Sequence, residues 1–93
     1  MKLTSTYDIN DVVLISSYGS DNPAAGIIDA ILFQQDGPTV YPIYRCSVGF
    51  GSIDENGVQN NTIYVYEPRH ANIGGGEAMY TILGKIGSID NND

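Results

Sequence analysis

Apolar residues along this chain fall into short runs separated by clusters of Gly, Pro, Asn and Asp. The two longest runs are Gly26-Ile27-Ile28-Asp29-Ala30-Ile31-Leu32-Phe33 and Thr39-Val40-Tyr41-Pro42-Ile43-Tyr44-Arg45-Cys46-Ser47-Val48. In an extended chain Ile27, Asp29, Ile31 and Phe33 share one face, and Ile28, Ala30 and Leu32 the other. Apart from Asp29 both faces are apolar, which predicts a strand buried on two sides or curled into a small barrel. A helix is disfavoured because the run is short, rich in β-branched residues and bounded by Gly and Pro. In the second run Val40, Pro42, Tyr44, Cys46 and Val48 alternate with Tyr41, Ile43, Arg45 and Ser47. Pro42 lacks the donor a ladder needs, which places it at an edge or a bulge. Between the runs, Gln34-Gln35-Asp36-Gly37-Pro38 is turn chemistry. The pattern predicts a long hairpin around which the rest of the chain is arranged.

Flanking segments add shorter strands. Asp8 to Asp11 reads as a turn and Val12 to Ser16 as the first strand, followed by a polar loop from Ser17 to Ala25. Gly49 to Asn61 reads as a second long connection containing the turn dipeptide Asn56-Gly57. Thr62 to Glu67 reads as a strand with Ile63 and Val65 on one face and Tyr64 and Tyr66 on the other, ended by Pro68. Arg69 to Gly76 is irregular with room for one helical turn. Glu77 to Ile86 carries signals for both strand and helix, and we read it as a strand. Residues 87–93 end in Asp90-Asn91-Asn92-Asp93 and read as an acidic tail, leaving residues 1–86 as one β domain. No internal repeat is visible.

Composition supports this. The chain has 93 residues with 42% hydrophobic content, seven Tyr, two Phe and no Trp, enough for one small core. Eleven Gly and four Pro imply many turns and favour β-structure over a bundle. The formal net charge of −7, from 11 acidic and 4 basic residues, argues against binding nucleic-acid backbones or anionic membranes, both of which need clustered cations. It leaves room for a basic protein partner. The chain opens into polar residues and has no apolar run of membrane-spanning length, so the expected location is the cytoplasm, of a host cell if the gene is a phage's.

Few residues offer chemistry. The single His70 and single Cys46 do not form a catalytic set, and Cys46 lies in an apolar run where a buried structural thiol is expected. Paired Cys/His spacing for zinc is absent. Asp54-Glu55-Asn56-Gly57 has the outline of a calcium loop, but its twelfth position is Val65, so it reads as a turn and no metal or cofactor is expected. Asn60-Asn61-Thr62 is a sequon without consequence in the cytoplasm. Arg69, His70 and Gly74, Gly75 and Gly76, with Arg45, are the residues an anion would use, although no Lys-Ser/Thr follows the glycines and a hinge is the simpler reading. The stronger signal is tyrosine. If Tyr64 and Tyr66 face outward and Tyr41 or Tyr18 joins them, they form an aromatic patch rimmed by acids, suited to a cationic partner. Otherwise the rings fill the core in place of tryptophan.

The order of parts — strand, loop, Gly-led hairpin, connection, strand, Pro — resembles an SH3-like barrel of the KOW/Tudor kind. The resemblance rests on Tyr7-Asp8-Ile9-Asn10-Asp11-Val12-Val13, on the Gly-initiated Gly26-Ile27-Ile28, on the Tyr-bearing run Tyr41 to Tyr44 and on Glu67, and it covers residues 7–68. Where the family usually has Gly before the opening Asp, this chain has Asn10; the connection after Phe50 is longer than usual and residues 69–93 are additional. In style the chain also resembles small accessory proteins of bacteriophages. The expected fold is therefore all-β, an SH3-like barrel of about five strands with an added C-terminal segment. The expected function is non-catalytic: a protein- or peptide-binding module, of the phage accessory or host-interaction type. Two alternatives belong to other classes. One is a homo-oligomer that sequesters a nucleotide-type ligand at Arg69, Arg45 and the glycine run. The other is a structural subunit assembled through exposed strand edges.

Overall fold

The computed structural model describes residues 4–53, 55–57, 59–72, 76 and 78–89. Five strands, β1 (Asp11–Ser17), β2 (Ala24–Asp36), β3 (Thr39–Ile53), β4 (Gln59–Tyr66) and β5 (Tyr80–Ser88), close into a barrel in sequence order. All neighbouring pairs are antiparallel except β4 and β5, which meet in parallel at Tyr66 and Thr81. A 3₁₀ turn, Pro68–His70, bridges these two strands, and β5 then returns along β1. This is a small SH3-like barrel, as the order of parts predicts. The segment beginning at Glu77 supplies a strand, although it starts at Tyr80 and continues to Ser88. The next residue, Ile89, donates its N–H to the Asn10 carbonyl at 2.8 Å, so ordered pairing runs past residue 86.

Alternation along β3 and β4 fills the barrel as expected. Val13, Ile15, Ile28, Tyr44, Cys46, Val48, Val65 and Ile82 form one buried cluster, with Tyr7, Ile31, Ile63 and Tyr80 packed against it. Each such burial contributes about 1.5–3 kcal/mol. Gly26 permits the tight approach of β1 and β3, since a Cβ there would lie 2.6 Å from Ile15 Cδ1 and 3.0 Å from Val48 Cγ1. Burial of Cys46 pushes its thiol up to about 12, consistent with a packing role.

The β2 pattern departs from simple alternation. The register slips between Ile28 and Ala30, making Asp29 a bulge. Ile28 and Ile31 therefore both turn inward, and the sets read from strict alternation break at Asp29. At the far end Asp36 pairs with Thr39 across Gly37, whose φ is 60°, the left-handed conformation of a tight hairpin. Pro42 pairs with Phe33 on β2, while the β3–β4 ladder begins one residue later at Ile43. Among the described residues no strand pairs with Pro42 on its β4 side, so Pro42 lies where that ladder has ended. The connection read from Gly49 to Asn61 is shorter than expected, because β3 continues to Ile53 and β4 starts at Gln59.

Asn10 adopts φ 76°, the backbone region that glycine enters most easily and asparagine next. Its N–H bonds the Ile28 carbonyl at 2.8 Å. Asparagine here thus takes a left-handed conformation that glycine adopts most readily. The adjoining turn is closed by the buried Asp11 carboxylate, which accepts from the Asp8 N–H at 2.9 Å and meets Lys85 Nζ at 3.2 Å.

Candidate functional site: a cleft on the projecting hairpin

The β2–β3 hairpin is longer than its neighbours. β1 pairs with β2 only over Ala24–Ile27, and β4 pairs with β3 no closer to the hairpin tip than Ile43. The hairpin therefore projects from the barrel. Antiparallel register puts opposite residues on one face, so Leu32, Ile43 and Tyr66 form one cross-strand row and Ala30, Arg45 and Tyr64 the next. Where these rows meet, Leu32, Phe33, Gln34, Ile43, Tyr64 and Tyr66 line a cleft of about 450 Å³. Leu32 is 45% exposed, Phe33 39% and Tyr64 52%, a concentration of apolar surface beside polar ring hydroxyls.

Aromatic stacking supports the cleft. Tyr41 is only 3% exposed; its ring lies 6.3 Å from that of Tyr66 and 5.3 Å from His70. Burial, followed by the charges of Tyr66 and Asp36, raises the Tyr41 pKa. Of the four tyrosines singled out from the sequence, Tyr64 and Tyr66 line the cleft and Tyr41 packs against Tyr66. Tyr18 lies at the end of β1, 64% exposed, with its N–H on the Met79 carbonyl, and is not among the cleft residues.

The anion candidates are distributed differently. Arg45 Nε bonds Asp29 Oδ1 at 2.7 Å, and this hydrogen bond raises the guanidinium pKa. Arg69 Nε lies 3.5 Å from Glu67 Oε1. Each guanidinium thus faces a carboxylate. His70 stacks on Tyr41 and its Nδ1 is enclosed without a hydrogen-bond partner. Gly76 is exposed; Gly74 and Gly75 lie outside the described residues, as does Asp54 of the calcium-like turn.

Opposite in character is the polar knot around Glu67. This buried carboxylate accepts from Tyr44 Oη at 3.0 Å and from Thr6 Oγ1 at 2.9 Å. Tyr44 Oη in turn accepts the backbone N–H groups of Thr6 and Tyr7, at 3.0 and 3.4 Å. Burial is the main cause raising the Tyr44 pKa to about 12. The knot ties the N-terminal segment to β3 and to the end of β4, and its groups are consumed by one another.

Sequence reasoning did not foresee Leu32, Phe33, Gln34 and Ile43 as cleft residues. The signal was a mismatch in length: a first strand read as Val12 to Ser16 cannot flank a hairpin that runs from Gly26 to Val48. Comparison with protein-family models, with curated proteins and with solved structures gives no match to this chain.

Proposed function

We propose that the chain is a non-catalytic protein-binding module whose contact surface is the hairpin cleft. The observation that carries this reading is the exposure of Leu32, Phe33 and Tyr64 around one concavity. Such surface is usually covered by a partner, and tyrosine suits it because the ring gives apolar area while the hydroxyl stays wet. The partner is basic: the chain carries a net charge of −7, and Arg45, beside the cleft, is already neutralised by Asp29. The KOW/Tudor-type and phage-accessory resemblances fit a small adaptor of this kind acting in the cytoplasm. Sequestration of a phosphate-bearing ligand has less support, because neither Arg45 nor Arg69 is free of a carboxylate.

Affinity capture with quantitative mass spectrometry tests the reading. The wild-type chain is expected to retain proteins that Tyr64→Ser and Leu32→Ser variants of equal stability do not. Capture of the same set by all three overturns it. Native mass spectrometry of the purified chain separates the alternative, since a retained nucleotide-sized mass lost on Arg69→Ala would replace a protein partner by a small ligand.

A further inference from the structure

Among the described residues the β2 strand has a free edge. Its pairing with β1 ends at Ile27, and the Asn10 N–H on the Ile28 carbonyl is the last backbone hydrogen bond these residues place on that side. From Asp29 to Asp36, among the described residues, β2 pairs with β3 alone. The other side of this segment presents backbone N–H and C=O groups to solvent. Edges of this kind are normally blunted by lysine, proline or an inward charge; Ala30-Ile31-Leu32-Phe33-Gln34-Gln35 has none of these. Leu32 and Phe33 from the same segment line the cleft. A strand added at the edge would extend the row Leu32, Ile43, Tyr66 by one residue and lay its side chains along the cleft.

Charge decides the occupant. The segment is bracketed by Asp29 and Asp36 and contains no cation. A second copy pairing antiparallel about a two-fold axis through Leu32 or Phe33 would oppose Asp29 of one copy to Gln35 or Gly37 of the other, next to its Asp36, at both ends of the ladder and within an already acidic pair of chains. Asp29 is paired with Arg45 of its own chain, so a strand carrying lysine or arginine answers Asp36 and the net charge of −7, whereas a second copy brings the same negative charge. We propose that the β2 edge over Asp29–Asp36 receives a strand of a basic partner protein, paired main chain to main chain. This rests on the binding-module reading and adds the mode of recognition and the charge of the recognised segment.

The test uses the wild-type chain and a capped peptide of alternating lysine and valine, about eight residues long, near the usual upper range of strand length. Nuclear magnetic resonance titration at low salt is expected to show binding centred on Asp29–Asp36. Backbone N-methylation of one alternate set of peptide residues should weaken binding by about tenfold or more, since those donors face the edge, and methylation of the other set should leave it unchanged. The same peptide with glutamate for lysine should not bind. Equal binding by both methylated peptides overturns strand addition, and if Tyr64→Ser still abolishes that binding the module reading survives alone. No binding of the lysine peptide overturns the inference. A dimer of the free chain in sedimentation equilibrium, dissociated by Phe33→Lys, also overturns it by making a second copy the occupant.

Discussion

The two ends of the central hairpin treat their chemical groups in opposite ways. Where β3 passes through the barrel, Tyr44 is fully buried, its ring stands edge-on to Tyr7 at 5.6 Å, and its hydroxyl is shared among Thr6, Tyr7 and Glu67. Every polar group in that knot answers another. Where β2 leaves the barrel, Leu32 and Phe33 stand exposed and one strand edge has no neighbour among the described residues. The first arrangement uses its hydrogen bonds for stability and leaves nothing for a ligand. The second leaves apolar area and backbone donors unmet, which is what a contact surface requires. Residue type does not separate them, because tyrosine carries both; what separates them is how far each strand extends past its neighbours.

Substitutions should expose this division. The largest effect on folding is expected from Tyr44→Ala, which leaves a cavity and strips the buried Glu67 carboxylate of a donor; about 3–5 kcal/mol should be lost in urea denaturation. Tyr44→Phe isolates the hydroxyl and should lose about 1–3 kcal/mol. Gly26→Ala should destabilise by about 1–3 kcal/mol through the contacts with Ile15 and Val48. By contrast Tyr64→Ser, on a half-exposed ring, should change the midpoint by less than about 1 kcal/mol while removing partner capture. At the bottom of the order, Arg45→Gln breaks an exposed pair and should leave the urea midpoint within error.

A pH series sharpens the same contrast. The folded-state pKa values of Tyr44 and Cys46 are both raised to about 12, from ordinary values of 10.0 and 9.0. The unfolded chain therefore releases these protons first. Their contribution to stability is complete below pH 9, declines as the thiol and then the phenol of the unfolded state ionise, and is gone once pH passes about 12. Urea midpoints should fall steadily above pH 9, and Tyr44→Phe should flatten the part of that fall above pH 10.

Most of the barrel was legible in the sequence, because Tyr44, Cys46 and Val48 on β3 and Ile63 and Val65 on β4 recur at every second position and Gly37 and Pro68 punctuate the strands. The departures have specific causes. The Asp29 bulge shifts the faces of β2 by one residue, and alternation cannot reveal a bulge that a cross-strand Arg45 stabilises. Tyr41 and Ile43 are on the outward-facing rows yet buried, because Leu32, Tyr66 and His70 cover that face. Gly49-Phe50-Gly51 reads as loop but lies within β3, in the interruption of the β3–β4 register between Ser47 and Ser52, after which pairing resumes at Ser52 and Ile53. The Glu67 knot depends on residues far apart in the chain, Thr6, Tyr44 and Glu67, which only the closed barrel brings together. The aromatic patch was half visible: Tyr64 and Tyr66 follow from strand alternation, whereas Leu32 and Phe33 join them only because the hairpin outruns β1.

The claim that the hairpin end is open while the barrel end is sealed is tested most directly by amide hydrogen exchange of the free chain, resolved by residue. Amides of Tyr44, Cys46 and Val65 should exchange only through global unfolding. Along Asp29–Asp36 the rates should alternate, slow where the N–H meets β3 and fast where it points away. Uniform slow exchange through that segment would mean that its edge is already covered and would contradict the account.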